Sequence, residues 1–217
     1  MAPAVLLRNV VALSGRFPVL AGADLFAEPG DVVLLRGANG AGKTSILRVC
    51  AGLLPVASGE ALVLGEDVCR DRRTVRRRVG MLGHANGLYD DLSVADNVRF
   101  AVRAAGGRSA AADAAMERLG LTGRLRDLSV GRLSAGQRRR VALAALVARR
   151  PELWLLDEPH AGLDEDGRRL VDALVLEAVA GGATVLVAAH GPAWLEDLPV
   201  RSVEVAGGRT REAVLVA

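Results

Sequence analysis

Residues 37–44 read Gly37-Ala38-Asn39-Gly40-Ala41-Gly42-Lys43-Thr44, the pattern G-x-x-x-x-G-K-T. No other stretch constrains the chain as strongly, because this octet works only as the link between a strand and a helix. Both flanks are present: the apolar run Val32 to Leu35 precedes it, and a helical spacing from Lys43 to Leu53 follows. Glycines let the backbone wrap closely and turn its N–H groups inward. The helix that starts at the end of the loop adds its N-terminal partial positive charge. Lys43 is then placed to reach β- and γ-phosphates, and Thr44, with Ser45 beside it in the first helical turn, to hold Mg²⁺. Composition singles out the same lysine: of the 28 basic residues, Lys43 is the only lysine. A compact ammonium suits a tight phosphate pocket, and a wide planar guanidinium does not.

Three further runs, Val79 to Leu82, Leu153 to Leu156 and Thr184 to Ala189, are nearly continuously apolar, as is Val32 to Leu35. Such runs suit strands buried on both faces of a parallel sheet. Helical spacings fill Lys43 to Leu53, Ala95 to Ala105, Ala110 to Leu119, Gln137 to Arg149 and Gly167 to Ala180. The chain is therefore expected to be α/β, with a P-loop core. Val5 to Leu25 alternates loosely and ends at the turn signal Glu28-Pro29-Gly30, which predicts an antiparallel β layer at the N-terminus. Residues 87–150 carry many alanines and no buried-strand run, which predicts an inserted helical lobe. The expectation is one domain, with 1–86 and 151–217 forming the core and its β layer.

Composition excludes several classes. Apolar residues make up 51% of the 217, enough for a sizeable core, yet no run approaches the roughly 18 apolar residues of a membrane helix. Residues 1–7 have no basic region before their apolar stretch, so no secretory leader and a cytoplasmic location are expected. Cys50 and Cys69 form no C-x-x-C pair and read as reduced thiols. A net charge of +3 spread along the chain says little about nucleic acid. The basic run Arg70, Arg72, Arg73, Arg76, Arg77 and Arg78 lacks interleaved aromatics and reads as a solvated helix face or a contact with membrane headgroups.

Leu153-Trp154-Leu155-Leu156-Asp157-Glu158-Pro159 sets two acids at the end of an apolar run. In parallel α/β sheets ligands sit beyond the carboxyl ends of the strands. Asp157 would face the phosphates and organise the Mg²⁺ shell, and Glu158 would orient or deprotonate an attacking water. Ahead of that strand lies Leu133-Ser134-Ala135-Gly136-Gln137, a hydroxyl residue and a glycine at a helix start, which together make an anion site. Taken alone, Ser134 is an N-cap.

The three elements in this order resemble those of ABC ATPases, over nearly the whole chain. The resemblance implies ATP hydrolysis with Mg²⁺ in a nucleotide-sandwich dimer. Ser134, Gly136 and Gln137 would contact the γ-phosphate of the partner subunit's ATP. Ala161-Gly162-Leu163-Asp164 resembles the loop after the catalytic glutamate, with Asp164 linking the two sites. His190, after the last apolar strand, matches the family's switch histidine. Integral membrane subunits and a second, identical ATPase subunit are the implied partners, on the cytoplasmic face of the membrane, with no nucleic acid.

Two positions depart from the family pattern. The family usually has a glutamine near the Mg²⁺ and the water, where this chain has His84. If His84 takes that role, activity is expected to fall as the imidazole protonates. The adenine-stacking aromatic is matched only by Phe17, for which core packing is the alternative. Gly83-His84, the stretch Gly87 to Phe100 and the short length resemble one subgroup, the ATPases of the haem exporters of cytochrome c maturation. A drug or lipid exporter ATPase is the next candidate. A non-transport ABC ATPase acting on DNA or ribosomes would need a long coiled coil or two fused ATPase domains. Against an inactive ATP-binding scaffold stand Lys43, Asp157, Glu158 and His190.

Overall fold

The computed structural model describes residues 2–83, 87–189 and 199–212. A long hairpin, β1 (Val5–Ser14) and β2 (Phe17–Ala27), leads into β3 (Val32–Arg36) and α1 (Lys43–Cys50). Next come β4 (Val56–Val63), β5 (Glu66–Asp67), α2 (Arg72–Arg78) and β6 (Val79–Leu82). Three helices follow, α3 (Val94–Ala104), α4 (Ala110–Arg118) and α5 (Ala135–Arg149). The chain then runs through β7 (Leu153–Asp157), α6 (Glu165–Ala180), β8 (Thr184–Ala188), β9 (Val200–Ala206) and β10 (Arg209–Glu212).

Two sheets result. One is antiparallel, in the order β2-β1-β4-β5. The other runs β10-β9-β3-β8-β7-β6, parallel except for the edge pair β9–β10. This is the expected α/β core with an antiparallel layer beside it. The apolar runs are continuous because both faces of the parallel sheet are covered. Along β7, Leu153 and Leu155 pack towards the antiparallel layer and α1, beside Leu7, Leu20 and Ile46. Trp154 and Leu156 pack the opposite way, with Val98, Met116 and Leu143 from α3, α4 and α5 and Leu174 from α6. β3 and β8 alternate in the same way. Residues of α3, α4 and α5 therefore share one core with the far face of the sheet.

Local chemistry sets the helix ends. Ser134 caps α5: its Oγ accepts from the Gln137 N–H at 3.2 Å, while Gln137 Oε1 accepts from the Ser134 N–H at 2.9 Å. This reciprocal pair starts the helix two residues before Gln137. At α1 the helical spacing continues to Leu53, but Gly52 takes φ +65° and the chain turns off.

Candidate nucleotide-binding site

β3 delivers the glycine loop to the C-terminal edge of the parallel sheet, and α1 begins where the loop ends. Gly37 could be no other residue: its φ is +144°, and a Cβ there would lie 2.1 Å from the Val205 carbonyl oxygen. The β9–β10 turn clamps the loop from outside. The Gly208 N–H donates to Ala41 O at 2.9 Å, and the Ala21 N–H donates to Gly208 O at 2.8 Å. No side chain caps the start of α1, and its first turn carries no acid. Its leading N–H groups and partial positive charge are thus turned towards the loop's interior.

Lys43 is buried, and its ammonium donates to Gly37 O at 2.7 Å and Ala38 O at 3.0 Å. Thr44 Oγ1 lies 2.9 and 3.1 Å from the two carboxylate oxygens of Asp157, at the end of β7. A hydroxyl and a carboxylate, both hard oxygen donors, converge there, the donor set that Mg²⁺ takes. A hollow of about 300 Å³ opens over these groups, lined by Asn39, Gly40, Ala41, Gly42, Lys43, Thr44, Ser45, Asp157, Glu158 and Val19. A larger one, about 470 Å³ around Trp154, Arg118 and Glu177, contains neither the loop nor the acids.

Glu158 continues the β7 ladder for one residue. Its N–H donates to Ala188 O at 2.8 Å, and its own carbonyl accepts from the Ala161 N–H at 3.0 Å. Its φ is +46°, the left-handed region that side chains avoid, at a cost of about 1–3 kcal/mol. Surrounding contacts must hold such a residue, and it stands at the site's edge.

The other expected residues are spread more widely. Ser134, Gly136, Gln137 and Asp164 do not line the hollow. Ser134 and Gln137 cap α5, and Asp164 caps α6 by accepting from the Gly167 N–H at 2.8 Å. Phe17 opens β2 with its ring 78% exposed, two residues from Val19 in the hollow, so core packing is not its role. His84 and His190 lie outside the described residues.

One residue near the acids was missed from sequence. Arg139, in α5, is buried. It donates to Gly83 O at 2.8 Å, Glu158 O at 3.0 Å and Asp157 O at 3.4 Å. Burial pulls its pKa below the ordinary arginine value, and the nearby Asp157 carboxylate opposes that shift. It sits in the triplet Arg138-Arg139-Arg140, whose letters do not separate it from its neighbours. Helical spacing does: Arg139 lies on the stripe of Ala142, Leu143 and Leu146, all buried.

A glycine loop between strand and helix, facing an acid at the end of a parallel strand two places along the sheet, defines the class: a P-loop nucleoside triphosphatase. Residues 20–161 match the ABC transporter family model. The chain belongs to this family, as an ATP-hydrolysing cassette subunit. It is 42% identical over 192 residues, 88% of each chain, to the cytochrome c biogenesis ATP-binding export protein CcmA of Xanthomonas campestris pv. campestris (strain 8004). It is 41% identical over 194 residues to CcmA 2 of Cupriavidus metallidurans, covering 88% of this chain and 91% of that one. Among solved structures, an ATP-binding subunit of an ABC transporter superposes with a TM-score of 0.87 at 24% identity, over 98% of this chain and 90% of the other. A dimeric ATP-binding cassette in a post-hydrolysis state, bound to ADP and Pi, shares the fold with a TM-score of 0.83 at 24% identity, over 98% and 99%.

Proposed function

We propose that two copies of this chain close face to face on two Mg-ATP, and that the cycle of closing and opening drives a haem exporter serving cytochrome c maturation. The sandwich rests on one observation. Gly136 sits in the first turn of α5 with no positive φ, and nothing lies within 4 Å of where its Cβ would be. The protomer itself gains nothing from a glycine there, which costs a helix about 1 kcal/mol relative to alanine. The open space beside Ser134 and Gln137 suits a phosphate brought by a second subunit. Haem export rests on the relatives, which are named cytochrome c biogenesis ATP-binding export proteins and align over 88% of this chain.

In this reading the α1 amides and Lys43 bind the β- and γ-phosphates, and Phe17 stacks on adenine. Thr44 and Asp157 would hold Mg²⁺, which would supply charge neutralisation at the γ-phosphate. The role of the family's glutamine, serving the ion and the water, falls to His84. Glu158 orients a water and takes its proton as the oxygen attacks the γ-phosphorus, and the β–γ bridging oxygen leaves with ADP. Ser134, Gly136 and Gln137 donate to the same phosphate from across the interface, the family's switch-histidine role falls to His190, and Asp164 links the two sites. The chain docks on integral membrane subunits at the cytoplasmic face; no helix among its described residues is long and apolar enough to cross a membrane. The arginine-rich α2 is partly spent inside the protein, Arg76 donating to Gly52 O at 2.6 Å and Arg78 to Leu64 O at 3.0 Å, and nucleic acid has no place in the reading.

Glu158→Gln tests the sandwich. With Mg-ATP it should form a stable dimer that retains ATP, seen by size-exclusion chromatography with light scattering. A variant that binds ATP yet stays monomeric, with and without its membrane partner, refutes it. Haem export is tested by deleting the gene: c-type cytochromes should fail to mature while other haem proteins persist.

A further inference from the structure

We propose that Arg139 is a positioning residue for hydrolysis, its guanidinium holding the Glu158 peptide in its left-handed conformation and tying it to the helix that begins at Ser134. The inference rests on the assignment of Glu158 as the group that activates water.

Three backbone oxygens converge on this side chain: Gly83 O at 2.8 Å, where β6 ends, Glu158 O at 3.0 Å, and Asp157 O at 3.4 Å. They come from two strand ends that β7 pairing alone does not lock at this point, since the β6–β7 ladder ends at Leu82 and Leu156. The guanidinium bridges the gap beyond it. Glu158 needs such support, because φ +46° persists only where the surroundings over-determine it. Its other two backbone bonds, to Ala188 and Ala161, come from the strand beside it and from its own loop. Arg139 adds a hold from a different element, α5.

Packing alone gives no reason for a cation here. The neighbours on the same stripe, Ala142, Leu143 and Leu146, are apolar, and an apolar side chain here would leave the oxygens of Gly83, Asp157 and Glu158 without this donor. What the planar fork supplies is reach in several directions at fixed geometry, which no apolar group and no lysine can supply. Arg139 also stands five positions after Ser134, about 7.5 Å along the helix axis. A displacement of the Ser134 turn by the partner's nucleotide would therefore reach the Glu158 peptide through α5 and the Arg139 guanidinium.

The test uses the full-length chain, with Arg139→Lys and Arg139→Gln placed both in the wild type and beside Glu158→Gln. Steady-state Mg-ATP turnover and the thermal midpoint are measured on each. Both variants should lower kcat by about 10- to 100-fold, as small misplacements of a reacting group do. The KM for ATP should stay within about threefold, because Lys43 and the loop are untouched. Beside Glu158→Gln, a change at Arg139 should cost nothing further, as expected for groups acting as one unit. Arg139→Lys keeps the buried charge, so it carries the test if the glutamine variant folds poorly. A kcat within about twofold of wild type in Arg139→Lys overturns the proposal, as does a rise in KM that matches the fall in kcat. So does an undiminished effect of the Arg139 change beside Glu158→Gln. Full turnover in Glu158→Gln alone would remove the Glu158 assignment and this inference with it. Loss there, beside unchanged Arg139 variants, removes this inference only.

Discussion

The Thr44 hydroxyl lies 2.9 Å from Asp157 Oδ2 and 3.1 Å from Oδ1, although 113 positions separate the two residues. The pairing follows from strand order. β3 and β7 flank β8 in the parallel sheet, so the helix after one and the acid ending the other meet at the same edge. The hydroxyl can donate to the carboxylate or, with the proton turned away, present its lone pair to a cation that the carboxylate also holds.

Asp157→Asn keeps this shape and removes the charge. ATP turnover should fall by about 100-fold or more, with a raised Mg²⁺ concentration for half-maximal rate; Thr44→Val should fall by about tenfold, in the same direction. A Mg²⁺ titration at fixed ATP checks both. An unchanged Mg²⁺ requirement in Asp157→Asn would take the cation away from this pair.

Lys43→Arg should resemble Lys43→Ala more than wild type. The ammonium is buried and donates to two carbonyls of its own loop, 2.7 and 3.0 Å away. A guanidinium is wider, and its planar fork does not fit a point contact between two phosphates. Equilibrium binding of a fluorescent ATP analogue should weaken by about 10- to 100-fold in both variants, the loss of about 1.5–3 kcal/mol expected for a charged hydrogen-bonding group. Binding retained by the arginine variant would show a roomier pocket than the structure has.

Phe17→Ala should leave the fold intact, because its ring is already 78% exposed. Affinity for ATP should fall by about 5- to 30-fold, the worth of about 1–2 kcal/mol of stacking on a base, while Phe17→Trp should keep it. Triphosphate without a base should bind both variants equally. Equal ATP affinity in wild type and Phe17→Ala would assign the adenine to another surface.

Legibility from sequence followed physics rather than importance. The four buried strands could be read because both faces of β3 and β7 are covered, leaving unbroken apolar runs. β4 could not: in Val56–Val63 only Ala61 and Val63 are buried, and a glycine interrupts the alternation. β10 is a four-residue polar edge strand, Arg209–Glu212, held by its ladder to β9 and carrying no apolar signal. In the site, Lys43, Thr44, Asp157 and Glu158 announce themselves because their chemistry depends on local spacing. Arg139 does not, because its partners are backbone oxygens at residues 83, 157 and 158, which side-chain letters do not reveal.

The Arg78–Glu152 pair makes stability depend on pH. Arg78 Nε and Nη2 donate to the two Glu152 oxygens at 2.7 and 2.8 Å, and the Glu152 N–H donates back to Arg78 O at 2.9 Å, tying the start of β6 to that of β7. The bidentate guanidinium holds the Glu152 carboxyl below the usual carboxylate range. A group whose pKa is lowered on folding stabilises the fold above its unfolded value, near about 4.3 for glutamate, and loses that contribution as pH falls through the lower folded value. Glu152→Gln should therefore be less stable than wild type at pH 7 by about 0.5–1 kcal/mol, a surface-pair magnitude given its exposure. The gap should close as pH falls below about 4, and it should also shrink in high salt at neutral pH. Urea midpoints of both proteins at pH 7 and near pH 3 check this. A difference that persists unchanged at the lower pH would mean that packing of the side chain, rather than its charge, holds the two strands together.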